Sequence, residues 1–61
     1  MKQKVVVEYQ VLSEESVNDL MDRVNQKISG EGFWEPVGGV TFASDYGEYM
    51  QAMNKIEVVE L

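Results

Sequence analysis

A chain with neither cysteine nor histidine has no disulfide, no thiolate zinc site and no imidazole ligand to hold a small fold together. The absence matters because the chain is only 61 residues long. A domain of that size buries about 60% of its unfolded surface and is marginal on its core alone. Small folds compensate with cross-links, a metal or association. With disulfides excluded and the commonest transition-metal ligands missing, association is the expected compensation, and a homo-oligomer is the expected state.

Five basic residues stand against eleven acidic ones, for a net charge of −6. Non-specific nucleic-acid binding rests on neutralising phosphates with Lys and Arg, so nucleic acid is not an expected partner. Met1-Lys2-Gln3-Lys4 is basic, but Val5-Val6-Val7 runs at once into Glu8. That apolar run is shorter than the roughly 7–15 residues of a signal peptide and the roughly 20 of a membrane span. A cytoplasmic protein with no membrane partner is expected.

Along the chain, Lys4 to Leu12 reads as a strand with Val5, Val7, Tyr9 and Val11 on one face and Val6, Glu8, Gln10 and Leu12 on the other. The second face is mixed, so it is expected to be partly covered in an oligomer. Ser13 reads as a helix N-cap, with Glu14 and Glu15 in the first turn where the helix dipole favours negative charge. Val17, Leu20, Met21, Val24 and Ile28 form an apolar stripe opposite a polar side that includes Arg23 and Lys27. The helix is expected to end near Ser29, closed by Gly30 in the left-handed conformation. Phe33 to Ala43 reads as a second strand. Pro36 marks it as an edge, and Gly38-Gly39 marks a bulge or close approach. Ser44-Asp45-Tyr46-Gly47 is a turn, and Glu48 to Val58 completes a hairpin. Residues 1–61 therefore read as one α+β domain: a three-stranded β-α-β-β sheet with one amphipathic helix packed on one face. Whether the first two strands run parallel or antiparallel, and which sheet face the helix covers, are left open by these patterns.

Trp34-Glu35-Pro36-Val37-Gly38-Gly39-Val40, flanked by Tyr9-Gln10-Val11-Leu12 and Tyr49-Met50-Gln51-Ala52-Met53, resembles a small bacterial and phage domain family of unknown function, number 1737 in that series. The family places glycine directly before the tryptophan; here Phe33 stands between Gly32 and Trp34. The resemblance implies a small α+β domain with no established activity, and it offers no functional residue to carry over.

Catalytic chemistry finds little to work with. An activated nucleophile needs a neighbouring base, and without histidine or cysteine the usual partners are gone. Ser13, Ser16, Ser29 and Ser44 fall at caps and turns. Glu14, Glu15, Asp19 and Asp22 read as a solvated helix face, and Asp45 with Glu48 lacks the ligand count of a calcium loop. No enzyme, cofactor, metal or catalytic residue is expected. Gly38-Gly39 lacks the Lys-Ser or Lys-Thr of a phosphate loop.

The aromatic group Phe33, Trp34, Tyr46 and Tyr49 carries the best clue to a binding surface, because Trp and Tyr combine contact area with a polar tip. Phe33 and Trp34 point to opposite faces of an ideal strand, so one of them should lie outside the helix-covered core. Four readings compete. The first is a non-enzymatic binding module that self-associates through the uncovered sheet face and acts on a host or phage protein. The second is a protein that sequesters a nucleotide-type signal in a pocket at a subunit interface, lined by Trp34, Tyr46 or Tyr49, with Arg23 as the single guanidinium for phosphate. The third is an acidic mimic of nucleic acid, and the fourth an enzyme using Asp45, Glu48 and a metal. The first is preferred, with the second as the alternative.

Overall fold

The β-branched clusters Val5–Val7 and Ile56–Val59, near the two ends of the chain, lie side by side in one ladder. The computed structural model describes Met1–Leu61 as β1 (Lys2–Glu14), α1 (Val17–Ser29), β2 (Phe33–Ala43) and β3 (Glu48–Glu60). The sheet order is β1-β3-β2, with β3 antiparallel to both neighbours. The first two strands therefore run in the same direction, yet they are not hydrogen-bonded neighbours, because the last strand enters between them. This is the expected α+β sheet with one helix packed against it.

Residues opposite each other across a ladder share a face. Leu12, Gln51 and Met53 face the helix with Trp34 and Pro36, as the pairings Leu12↔Gln51, Gln10↔Met53, Trp34↔Lys55 and Pro36↔Met53 require. Leu12, Trp34 and Met53 close over Leu20 of α1, which is 1% exposed, and Val24 and Tyr49 pack at the margin. The core is thus one helical leucine set into three sheet residues.

Several local expectations need correction. The register of β1 slips between Val6 and Glu8, leaving Val7 as an extra residue. The slip reverses the facing of what precedes it. Val6, opposite Ile56, joins Tyr9 and Val11, while Val5 joins Glu8, Gln10 and Leu12. The N-cap is Ser16, whose hydroxyl accepts from the Asp19 N–H at 3.1 Å. Ser13 and Glu14 remain in β1, held by pairing with Met50 and Tyr49. Gly30 is extended, at φ −82°; the left-handed glycine is Gly32, at φ +81°, where an added Cβ would meet Lys55 Cε at 3.0 Å. The apolar stripe of α1 is only partly buried. Val17, Met21 and Ile28 are exposed, and the helix contacts the sheet along Leu20 and Val24. Lys27, assigned to the polar side, lays its ammonium 4.2 Å from the centroid of the Trp34 ring.

The hairpin turn falls where expected. The Tyr46 and Gly47 N–H groups donate to the Ala43 carbonyl at 3.1 and 2.8 Å, and Gly47 takes φ +65°. Beyond the Phe33↔Ile56 pair, β1 and β3 continue as a two-stranded ribbon without β2. The molecule is 44 × 20 × 14 Å with a radius of gyration of 13.3 Å. A compact chain of this length would have a radius of about 10.5 Å.

Candidate functional site

The face turned away from α1 is built from ladder rows. Successive rows are Lys2–Glu60, Lys4–Val58, Val6–Ile56–Phe33, Tyr9–Asn54–Glu35, Val11–Ala52–Val37, Ser13–Met50–Thr41 and Glu48–Ala43. The three middle rows are mostly apolar, and no element covers them. Phe33 is 73% exposed, Tyr9 61% and Val11 49%. Ile56 is the buried member of this face. Above its row, Lys4 of β1 reaches Glu35 of β2 across the intervening strand, with Nζ 3.7 Å from Oε1.

The surface area agrees with an uncovered face. A folded monomer of 6.9 kDa is expected to expose about 4,000 Å²; this chain exposes 4546 Å². Six residues of the 61 are buried, and as many apolar side chains of this face (Val6, Tyr9, Val11, Phe33, Val37 and Val58) are exposed.

Both edges of the sheet are irregular. On β1 the slip at Val6/Glu8 interrupts the outer edge, and Lys2 and Lys4 stand at its start. On β2 the register shifts between Val37 and Thr41, Gly38 takes φ +69°, and Pro36 has no N–H to offer. Bulges, lysines and proline are the devices that keep edge strands from pairing with another chain. The irregularities thus fall on the edges and leave the face between them uncovered.

The β2 bulge is held from the other side of the sheet. Gln51 is the only buried polar residue, and its Nε2 donates to the Val37 carbonyl at 3.1 Å, the Gly38 carbonyl at 3.3 Å and the Ala52 carbonyl at 2.9 Å. The carbonyls freed by the bulge thus find a donor. Gln51→Leu leaves them unpaired, and a cost of about 1–3 kcal/mol is expected, read as a lower urea midpoint at unchanged slope. A midpoint equal to that of the parent would show that water replaces the amide.

The residues singled out in the sequence separate here. Phe33 lies on the open face. Trp34, 8% exposed, packs in the core, so the two neighbours do point to opposite sides as the alternation requires. Tyr49 lies on the helix side against Phe42, ring centroids 4.8 Å apart, and sits six residues along β3 from the partner of Trp34, or about 20 Å. Tyr46 projects from the hairpin turn. Arg23 is held by the Glu14 carboxylate at 2.9 Å and the Ser13 carbonyl at 3.2 Å. Trp34, Tyr46, Tyr49 and Arg23 do not converge on one pocket. The hollow between helix and sheet, lined by Leu20, Met21, Val24, Asn25, Val40 and Gln51, holds about 130 Å³; two more open hollows hold about 450 Å³ beside Phe33 and Lys55 and about 420 Å³ on the open face around Tyr9, Val37 and Gly38. No group of three acidic side chains is placed to hold a cation, and no helix is long and apolar enough to cross a membrane.

Val6, Val11, Val37 and Val58 belong to the open face and were not singled out in the sequence. Their grouping depends on the slip at Val7, and three consecutive valines carry no mark of where a strand changes phase. Gln51 did carry a signal: an amide between Tyr49 and Met53 on the face that packs against the helix.

No family model, curated protein or solved structure matches the chain. Of the three segments that carry the family resemblance, Tyr49–Met53 lies between the other two, beside Val11 and Leu12 of β1 on one side and Pro36 and Val37 of β2 on the other.

Proposed function

We propose that the chain is a non-enzymatic interaction module that self-associates through the open face of its sheet. The observation that carries this reading is the set of exposed apolar side chains Val6, Phe33, Tyr9, Val11 and Val37, spread over three consecutive rows that also hold Asn54 and Glu35 and flanked by two irregular edges. Burying it removes apolar surface from water at about 25 cal/mol per Å². That supplies what a core this small lacks. The resemblance to a domain family without established activity is in keeping with a role in binding.

The expected result in sedimentation velocity is a homo-oligomer at micromolar concentration. Val11→Glu places a carboxylate at the centre of the face without touching the helix-side core. Burying an unpaired charge costs about 3 kcal/mol or more, so association weakens by roughly a hundredfold or more, with the helical circular dichroism signal retained. A wild-type chain that stays monomeric, or a Val11→Glu variant that associates as well as the parent, would overturn the reading. The ligand-sequestering alternative has less support, because the aromatic residues and Arg23 that would line its pocket lie apart in the single chain.

A further inference from the structure

We infer that the helix side of the sheet carries a site for a phosphate-type oxyanion, held by the Trp34 indole N–H and the ammonium groups of Lys27 and Lys55. It lies on the face opposite the one proposed for self-association and does not depend on it.

Trp34 is 8% exposed, yet its indole N–H has no acceptor in the chain. The nitrogen keeps contact with solvent, since no sealed side-chain nitrogen lacks a partner. Gly32 opens the way to it. This glycine sits at φ +81° and presents no side chain; the point its Cβ would occupy lies 3.7 Å from Trp34 Nε1 and 3.8 Å from Lys55 Nζ. Lys55 is also the ladder partner of Trp34. From the other side α1 brings Lys27, with its ammonium 4.2 Å from the ring centroid. One donor is thus bracketed by two cations, and the helix and two strands each deliver one of the three groups.

Those cations are uncommitted. The chain has eleven acidic residues and five basic ones, and Lys4 and Arg23 each have a carboxylate. Lys27 and Lys55 have none, although Glu31 and Glu57 stand close by in sequence. Contact with the indole face leaves the charge of Lys27 whole. Two positive charges and an N–H donor suit a dianion better than a carboxylate, and a phosphate monoester carries about 1.5–2 negative charges at neutral pH. Lysine meets phosphate as a point charge and needs no fork geometry. The hollow of about 450 Å³ lined by Gly32, Phe33, Lys55 and Glu57 adjoins these donors. It is of the size that takes small ligands, so a monoester has room for its organic part. The net charge of −6 repels anions in general, so one that binds is held by local donors.

The chain has one tryptophan, so its proton–nitrogen correlation spectrum contains one indole cross-peak, which reads the site directly. Inorganic phosphate and, separately, ribose 5-phosphate are titrated at constant ionic strength in chloride. The expected result is a saturable downfield shift of the indole proton. Lys27→Gln and Lys55→Gln are each expected to weaken binding about three- to fivefold, the range of an exposed charge pair. Lys2→Gln, equally unpaired but on the open face, leaves it unchanged. Lys55→Gln carries the comparison if Lys27→Gln does not fold, because Lys55 lies outside the core cluster. Tighter binding of the ester assigns the site to an organic phosphate, and equal or weaker binding to free phosphate; either upholds the site. An indole peak that stays in place, a shift that never saturates, or an equal loss from Lys2→Gln overturns it.

Discussion

Trp34→Ala leaves the chain unfolded. The indole contributes the largest side chain of the core, packed with Leu12, Leu20 and Met53 and capped by Lys27. Truncating a buried tryptophan to alanine costs about 3–5 kcal/mol. A single core in a chain of this size rarely supplies more than about 3–5 kcal/mol in total. The loss therefore equals the whole margin, and the expected observation is a disordered circular dichroism spectrum without denaturant. Trp34→Phe keeps most of the buried area and should remain folded with a lowered midpoint. A Trp34→Ala chain with a cooperative urea transition near that of the parent would show that the core does not depend on the indole. The comparison belongs at one protein concentration, since association stabilises the folded chain by mass action.

Leu20→Ala has the second largest effect, and it acts on a different joint. Leu20 is the one fully enclosed side chain that α1 contributes. Its other attachments are partly exposed: Val24 at the margin, Lys27 over Trp34, and Arg23 bonded to Glu14 and Ser13. Buried leucine-to-alanine changes cost about 2–5 kcal/mol, rising with the cavity that remains. A helix of 13 residues is marginal in water without packing, so the helix should melt from the sheet. The signature is loss of ellipticity at the helical minimum. Leu20→Met conserves volume and should cost less than about 1.5 kcal/mol. Equal stability of the Ala and Met variants would rule out the leucine as the anchor.

Much of the architecture was legible because it depends on periodicity. The α1 stripe repeats at helical spacing, and Ser44–Gly47 is turn chemistry at a fixed place, so the order strand, helix, strand, strand could be read. What depended on phase could not. Val7 is an extra residue inside a run of identical neighbours, and only pairing with β3 reveals which valine is displaced. Ser13 and Ser16 both precede acidic residues and both suit an N-cap; tertiary pairing of Ser13 and Glu14 decided between them. Gly30, at the end of the helical pattern, was the expected left-handed residue; in the structure it is extended and that conformation falls two residues later, on Gly32. The candidate surface was half visible. The opposition of Phe33 and Trp34 followed from alternation, whereas the valines around Phe33 followed from the slip.

The irregularities of β1 and β2 bear on how far assembly can proceed. Each outer strand has one, so neither margin of the sheet offers an uninterrupted row of backbone donors and acceptors. For the proposed self-association through the face, these interruptions disfavour growth by strand addition along β1 and β2, and the regular backbone left open to it is the Glu57–Glu60 end of β3, which has no neighbour on the β2 side.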